Sequence, residues 1–306
     1  MNFSLSRYMS ATLLLTLSVT SCKSVSGTMA TPAADRDSIY LRADLRDSRI
    51  IWGDEFNADS LDRSVWNIEI NGSGCGNNEL EYYLDTPDNV CLKDGNLLLT
   101  ACRRQYKDKP FTSGRVNTCG KKAFTYGVVV AHIRLPRTAN GLWPAFWMMG
   151  DDIRTNPWPR CGEIDILEMG HSDGISAGTQ DRLFNGAIHY GTDSHIQKAG
   201  VLTSPYSLQD GKYHTFYCYR SPHRIAMYVD DIPTPYIDID ISNTGDLEHP
   251  GYYFHKPHFI LFNLAVGGDF TGIHDADRIT ADLEKDATMA IDFIRVYSLP
   301  EDFDKR

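Results

Sequence analysis

The segment 163–168 places three carboxylic acids, Glu163, Asp165 and Glu168, among isoleucine and leucine residues. Two carboxyl groups that flank a glycosidic bond can hydrolyse it, one attacking the anomeric carbon and the other protonating the leaving oxygen. A third acid adds like-charge repulsion, which keeps one partner protonated near neutral pH. The pattern therefore predicts acid/base chemistry on sugars, and its alternative is a solvated strand face that happens to be acidic.

The apolar residues between these acids predict a β-strand. Alternate strand residues share a face, so Glu163 and Asp165 point the same way and Glu168 points to the other side. A β-bulge would return Glu168 to the face of the other two, and bulges are over-represented beside active sites. We predict three acids on one sheet face. The core behind it would receive Ile164 and one or both of Ile166 and Leu167.

Tryptophans flank the acids in the segments 141–150 and 158–162. Sugars present C–H faces that stack on aromatic rings, so this placement is typical of a carbohydrate groove. Large aromatic residues also dominate protein cores. We predict that Trp143 and Trp158 line the groove and that Trp147 belongs to the core.

A series of motifs runs in order over most of the chain, and together they resemble glycoside hydrolase family 16. The motifs are Trp52-Gly53-Asp54-Glu55-Phe56, Leu61-Asp62-Arg63-Ser64-Val65-Trp66, Asn77-Asn78-Glu79-Leu80, Asp94-Gly95-Asn96-Leu97, Thr112-Ser113-Gly114-Arg115, the tryptophan block, the acid trio, Asn263-Leu264-Ala265-Val266-Gly267-Gly268 and Ile291-Asp292-Phe293-Ile294-Arg295-Val296-Tyr297.

This resemblance implies an all-β fold, a concanavalin A-like jelly-roll sandwich of two curved antiparallel sheets. It also implies a retaining endo-β-glycosidase with Glu163 as nucleophile, Glu168 as general acid/base and Asp165 assisting Glu163. The spacing of the acids resembles the bulged branch of laminarinases, agarases and galactosidase-like enzymes, with Leu167 as the extra residue.

The same resemblance implies further binding residues around the acids. Asn78 and Arg115 occupy positions that hydrogen-bond sugars in the negative subsites, and Glu79 is a weaker candidate. His189 lies on the expected neighbouring strand, where an imidazole could bind substrate or orient Glu168. Asn263 is expected to act similarly.

A structural calcium ion is also implied by the resemblance, at Glu55, Gly95 and Asp292. Carboxylate and carbonyl oxygens are suitable Ca²⁺ ligands, although Asp292 could merely end a strand. We expect no cofactor for catalysis. The remaining histidines show no ligand spacing, and most are expected at the surface: His171, His195, His214, His223, His255 and His258.

The N-terminal residues 1–22 predict a bacterial lipoprotein signal peptide, because a short apolar core follows Arg7 and a lipobox-like sequence ends at Cys22. Simple secretion is the alternative. Residues 23–47 predict a flexible tether and 48–300 one catalytic domain. The expected location is the bacterial cell envelope, lipid-anchored to the outer membrane on its periplasmic or surface side.

The net charge of −10 without a basic stripe disfavours nucleic acid and anionic membranes as partners. We expect a neutral oligo- or polysaccharide as partner, membrane contact only through the lipid anchor, and a monomer. Export permits disulfides, and we expect one or two, with Cys102 and Cys218 as buried thiols. The cysteines besides Cys22 are Cys75, Cys91, Cys102, Cys119, Cys161 and Cys218.

Two departures from laminarinases bear on the substrate. Cys75 stands where they usually carry a tryptophan, and the segment 169–185 is longer than theirs. That segment resembles gut Bacteroidota enzymes that cut β-galactosidic bonds in mucin O-glycans. We therefore predict β-1,4-galactosidic bonds of mucin-type O-glycans or poly-N-acetyllactosamine. The alternatives are β-1,3-glucan (laminarinase activity), mixed-linkage glucan, a red-algal galactan, or a non-catalytic surface glycan-binding protein.

Overall fold

The computed structural model describes residues 41–305, which contain 18 strands and one short α-helix, α1 (Ser172–Ala177). Short 3₁₀ helices occupy Ala43–Leu45, Gly74–Gly76, Pro250–Tyr252, Ala276–Arg278 and Phe303–Lys305. The strands are β1 (Ile50–Asp54), β2 (Asn67–Ile68), β3 (Glu81–Tyr83), β4 (Val90–Lys93), β5 (Asn96–Thr100), β6 (Phe111–Ser113), β7 (Arg115–Asn117), β8 (Ala123–Phe124), β9 (Gly127–Arg134), β10 (Leu142–Gly150), β11 (Glu163–Met169), β12 (Leu183–Tyr190), β13 (Ile196–Thr203), β14 (His214–Arg220), β15 (Arg224–Val229), β16 (Ile237–Asp240), β17 (His258–Val266) and β18 (Thr288–Tyr297).

Two eight-stranded antiparallel sheets form the sandwich, and the predicted jelly-roll fold is confirmed. One sheet, here called the cleft sheet, has the order β13-β12-β11-β10-β17-β7-β2, with β8 also paired to β17. The other, the outer sheet, has the order β16-β15-β14-β9-β18-β5-β4, with β1 also paired to β18. A small parallel pair, β3-β6, lies apart from both.

Strand β10 shows how the sequence builds both faces of the cleft sheet. Its side chains alternate, so Leu142, Phe146 and Met148 enter the main core between the sheets. Trp143 and Trp147 therefore point to the opposite face. Burying a large apolar side chain contributes about 1.5–3 kcal/mol, and this core holds β10 rigidly beneath the face that carries the polar site.

The acid-bearing strand β11 contains the predicted bulge. Along β10, Trp147 pairs with Asp165 while its neighbour Phe146 pairs with Leu167, which leaves Ile166 as the extra residue. The expectation that Leu167 is the extra residue was wrong, because Leu167 keeps its ladder partner. Ile166 and Leu167 are both fully buried, as is Ile164, so the core absorbs two consecutive residues and the next acid returns to the cleft face.

Both ends of the described chain pack on the outer sheet. Leu45 is fully buried in an aromatic cluster, and the Arg42 guanidinium lies 4.2 Å from the ring centroid of Tyr228. Near the other end Phe303 stacks on Tyr219 with ring centroids 5.0 Å apart. The predicted boundaries 23–47 for the tether and 48–300 for the domain therefore need correction, since the folded unit includes residues 41–47 and Phe303.

The six cysteines that the structure describes are all free thiols, so the expected one or two disulfides are wrong. Cys218 is buried as predicted, whereas Cys102 is only partly buried. The predicted signal peptide, Cys22 and most of the tether lie outside residues 41–305. Within those residues no helix has the length and apolarity needed to cross a membrane.

Candidate active site

A cavity of about 340 Å³ lies over the cleft sheet, and the three acids contribute to its wall. A second cavity of about 310 Å³ shares Trp143, Trp158 and the acids with it and extends towards β12 and β13. The two cavities together form one cleft that passes over the acid trio. An elongated ligand such as a glycan chain can therefore contact all three carboxyl groups.

The structure brings the three predicted acids together as expected. Their strand neighbour on β12 is His189, which pairs in register with Glu163. His189 Nε2 lies 3.1 Å from Asp165 Oδ2 and 3.9 Å from Glu163 Oε1. The imidazole therefore lies against Asp165 and Glu163.

Burial is the main cause of the raised pKa values of the three acids. It raises the pKa of Glu163 to about 8, and repulsion from Asp165 adds to it, while His189, Arg115 and a hydrogen bond with Trp158 act in the opposite direction. Burial also raises the pKa of Asp165 to about 8. Three buried carboxylates cannot all ionise near neutral pH, so the site retains protons.

Glu168 differs from Glu163 in the groups that oppose protonation. Burial raises the pKa of Glu168 well above its ordinary value, followed by repulsion from Asp165 and Glu163. His189 and a hydrogen bond from Trp143 oppose that rise. Glu163 is stabilised as an anion by Arg115, whereas Glu168 is repelled by both other acids, so the electrostatics favour a protonated Glu168 beside a Glu163 that ionises first.

Trp143 and Trp147 both face the cleft from β10. Trp143 Nε1 donates to Glu168 Oε1 over 3.2 Å, and Trp147 Nε1 donates to Asn263 Oδ1 over 2.7 Å. The prediction for Trp143 places it correctly. Trp147 is buried as predicted, but in a small apolar cluster on the cleft face and not between the two sheets, and it also lines the first cavity. Phe146 enters the main core between the sheets, because the strand alternation assigns neighbouring residues to opposite faces.

Asn263 belongs to a buried polar chain beneath the cleft. It accepts from Trp147 and its Nδ2 donates to the Tyr83 hydroxyl over 3.4 Å. That hydroxyl donates in turn to Glu79 Oε2 over 2.9 Å. Asn263 and Glu79 both line the first cavity, so the chain orients the indole of Trp147 from below.

Asn78 does not line either cavity, which corrects its predicted role in binding. Its backbone adopts φ +56°, and its Nδ2 lies 3.1 Å from both carboxylate oxygens of Asp269. The left-handed backbone turns this side chain outwards. Asn77 occupies the cleft in its place and lines both cavities.

Arg115 lines the first cavity as predicted and is paired with Glu69 across 3.0 Å. Its guanidinium lies 4.9 Å from the ring centroid of Trp147. Among the described residues that line the two cavities, it is the only arginine or lysine. Acidic side chains therefore outnumber basic ones in the lining of the cleft.

Two cleft residues were not anticipated from the sequence. His195 Nε2 lies 2.7 Å from His189 Nδ1, and its ring contacts Trp158 with centroids 4.7 Å apart. Phe270 stacks on Trp143 at 4.5 Å. The sequence did contain a signal for His195. It follows His189 by six residues, and a hairpin between β12 and β13 brings residues at that separation close together.

The remaining histidines divide between cleft, core and surface. His171 lines the second cavity beside Phe270. His258 is fully buried and His214 is 6% exposed. The prediction that most of these histidines lie at the surface therefore fails for His214 and His258.

Of the predicted calcium ligands, Glu55 is engaged by another residue, and the calcium ion stays a prediction. Both carboxylate oxygens of Glu55 accept from the Arg295 guanidinium, at 2.7 and 2.8 Å. The Glu55 carboxylate is therefore already paired with a positive charge. Gly95 lies in the β4–β5 turn with φ +71° and approaches Asn57.

A β-sandwich with buried acids and tryptophans along an open cleft defines a carbohydrate-active hydrolase. Comparison with known proteins specifies the family. The mixed-linkage glucan GH16 protein of Bacteroides ovatus, solved with a G4G4G3G product, is 40% identical with a TM-score of 0.71, covering 81% of this chain and 100% of its own. The chain belongs to glycoside hydrolase family 16 and is a glycoside hydrolase.

Curated relatives agree with that assignment. The Glucan endo-1,3-beta-glucosidase of Cryptopygus antarcticus is 33% identical over 81% of this chain and 91% of its own length. The Glucan endo-1,3-beta-glucosidase A1 of Niallia circulans is 32% identical over 81% of this chain, which spans only 37% of that longer protein. A family model described as beta-glucan synthesis-associated protein SKN1/KRE6/Sbg1 matches residues 10–156.

The chain is also similar to a solved structure from work on endo-acting O-glycanases, which members of the human gut microbiota express to initiate mucin breakdown. It is 26% identical with a TM-score of 0.69, covering 83% of this chain and 92% of its own. The chain is thus more similar to the glucan-active structure than to the O-glycanase structure.

Proposed function

We propose that the protein is a retaining endo-β-glucanase that cleaves internal bonds of mixed-linkage β-1,3/1,4-glucan and of β-1,3-glucan. The observation that carries the proposal is the bulge at Ile166, which places Glu163, Asp165 and Glu168 together on the floor of an aromatic cleft. In this reaction Glu163 attacks the anomeric carbon, and Glu168 protonates the leaving oxygen. Glu168 then deprotonates the water that releases the sugar, while Asp165 assists Glu163.

The charge of the cleft supports a neutral glucan. Arg115 is paired with Glu69, so the described lining offers no free cation to a sulfate or carboxylate group. The 40% identity to a structure that holds a mixed-linkage glucan product supports the same substrate class. The curated glucan endo-1,3-beta-glucosidases support β-1,3 bonds as a second linkage.

The sequence-based preference for β-galactosidic bonds of O-glycans has less support and is kept as a second candidate. Cys75 lines the first cavity, at the place where laminarinases are expected to stack a tryptophan. The segment 169–185 contains α1 and reaches the second cavity through His171. These two features could suit a differently shaped glycan.

One experiment separates the candidates. The protein is incubated with barley β-glucan, laminarin, agarose and mucin O-glycans, and products are followed by mass spectrometry and by ¹H NMR of the new anomeric centre. We expect gluco-oligosaccharides released first as β-anomers, with Glu163→Gln as the blank. Oligosaccharides from mucin alone would reject the glucanase proposal in favour of O-glycan cleavage.

The cellular location is a further proposal that draws on the sequence alone. We propose that residues 1–22 direct export and that lipidated Cys22 anchors a monomeric enzyme to the bacterial envelope. Incorporation of labelled palmitate into the wild-type chain and its loss in Cys22→Ala would support this anchor. Light scattering of the purified protein would test the monomer.

A further inference from the structure

One oxygen on the floor of the cleft lacks a hydrogen-bond partner. The Asp165 side chain is 6% exposed, and its Oδ2 accepts no hydrogen bond within residues 41–305. His189 Nε2 is 3.1 Å away, but not in hydrogen-bonding geometry. A buried carboxylate oxygen without a partner is costly, so this atom marks a place where a cation would be stabilised.

Two further ligand atoms lie beside that oxygen. A carboxylate oxygen of Glu163, one of Asp165 and a ring nitrogen of His189 all lie within 4.8 Å of one another. The nitrogen is 3.1 Å from Asp165 Oδ2 and 3.9 Å from Glu163 Oε1. A tetrahedral Zn²⁺ with bonds of about 2.0–2.1 Å sets its ligand atoms about 3.3 Å apart. The 3.1 Å distance matches that spacing and the 3.9 Å distance exceeds it, so a small movement of the Glu163 side chain would complete the arrangement.

His195 can set which nitrogen of the His189 ring carries the proton, and so which one can bind a metal ion. Its Nε2 lies 2.7 Å from His189 Nδ1 and can accept the proton there, which leaves His189 Nε2 free to bind a metal. Metal-binding histidines almost always donate their other N–H to an outer acceptor in this way. The contact between the two histidines thus has the form of a metal ligand with its outer acceptor.

We propose that Glu163, Asp165 and His189 form an inhibitory binding site for a divalent transition-metal ion of the Zn²⁺ class. Two carboxylates and one imidazole suit Zn²⁺ or Cu²⁺, whereas Ca²⁺ and Mg²⁺ require more oxygen ligands. All three residues line the second cavity, so an ion held between them would be open to the cleft. A bound ion occupies the oxygen of Glu163 that must reach the anomeric carbon, so it competes with the substrate.

The test of binding needs no enzymatic activity. Titration calorimetry of the protein with ZnCl₂ should show one site that weakens at least tenfold in Asp165→Asn and in His189→Gln. Replacing an outer-shell partner typically costs 10–100-fold in metal affinity, and we expect a loss of that order in His195→Ala.

Glu168→Gln is the matched control, because it removes one carboxylate from the same cleft without removing a ligand. It should retain the affinity of the wild-type protein for Zn²⁺. Equal losses in Glu168→Gln and Asp165→Asn would overturn the proposal, since they would show attraction to charge alone. Wild-type affinity in His189→Gln would overturn it as well.

The inhibition rests on the proposed function and is tested separately. Zn²⁺ should raise KM for β-glucan without changing kcat, and a chelator should restore activity. Mg²⁺ and Ca²⁺ at the same concentration should have no effect. Unchanged KM at saturating Zn²⁺ would contradict the inhibitory role. If no glucan is hydrolysed, the calorimetry still decides whether the metal site exists.

Discussion

Trp143 Nε1 and Glu168 Oε1 form a 3.2 Å hydrogen bond across the strand pair β10–β11. Glu168 is opposite Ala145, two residues from Trp143, only because the bulge shifts the register of β11. The indole therefore contacts the proposed acid/base from the same face that binds substrate. It favours the ionised form of a carboxyl group that burial otherwise keeps protonated.

Trp143→Phe keeps an aromatic ring and removes this donor. The pKa of Glu168 should rise, because the hydrogen bond from Trp143 lowers it. The basic limb of the kcat/KM profile should move to higher pH. The value of kcat should fall roughly 10- to 100-fold, since a hydrogen bond to a charged group contributes about 1.5–3 kcal/mol. A pH–rate profile on β-glucan measures both effects.

Trp147→Phe is the control for that experiment. Its indole donates to Asn263 and not to an acid, so its basic limb should stay at the wild-type pH. Identical shifts in the two variants would show that the loss of an indole, and not the bond to Glu168, changes the profile.

The two proposed catalytic acids should respond differently to the leaving group. Glu163→Gln should lower kcat more than about 10³-fold on every substrate, because no nucleophile remains. Glu168→Gln should impair glucan hydrolysis much more than hydrolysis of an activated aryl glycoside, whose leaving group barely needs a proton. Steady-state kinetics on both substrates test the roles, and equal losses in Glu168→Gln would contradict its assignment.

The buried acids should make stability fall as pH rises. The pKa of Glu163 is raised from 4.5 to about 8 in the folded chain. Between these values the folded state holds a proton that the unfolded state has released, so the free energy of unfolding decreases with pH. Glu163→Gln cannot titrate. Its Tm should match the wild type near pH 4 and exceed it by a few degrees at pH 8.

Thermal scans from pH 4 to pH 8 measure this difference. Asp62→Asn is a control of opposite sign, because hydrogen bonds with Ser64 lower the pKa of exposed Asp62. The ionised Asp62 carboxylate stabilises the folded wild-type protein above about pH 4. Asp62→Asn should therefore have a lower Tm than the wild type in that pH range. A constant Tm difference between Glu163→Gln and wild type across pH would contradict the linkage.

Chelation should leave the folded domain unchanged. Glu55 is neutralised by Arg295 through two hydrogen bonds, so removal of calcium should not alter Tm in a thermal scan with a chelator. Glu55→Gln should instead lower the free energy of unfolding by roughly 1–3 kcal/mol, because the buried guanidinium loses a charged partner. A fall in Tm on chelation, reversed by Ca²⁺, would show that Glu55 exchanges Arg295 for the ion.

Local patterns in the sequence were sufficient for the fold class and the acid trio. Strand alternation has a period of two residues, so the relation between Glu163 and Asp165 follows from spacing alone. The need for a bulge before Glu168 also follows. Its location does not, because Ile166 and Leu167 are equally apolar and only the pairing with Phe146 distinguishes them.

The choice between neighbouring residues needed the tertiary structure in other places too. Phe146 and Trp147 are both large, apolar and buried, and only the packing of the second sheet shows which one lies between the sheets. Asn77 and Asn78 are the same residue type, and the left-handed backbone of Asn78 decides which one enters the cleft. Composition carries no information on such alternatives.

The sequence by itself determined the β-sandwich, the acids that carry the chemistry and the aromatic groove, because these depend on residue type and short-range periodicity. Only the tertiary structure decided that Leu45 and Phe303 cover the outer sheet, that Arg295 neutralises Glu55, and that His195 supports His189. These contacts depend on how strands, hairpins and chain ends meet in space. Their energies come from partners that adjacent sequence does not specify.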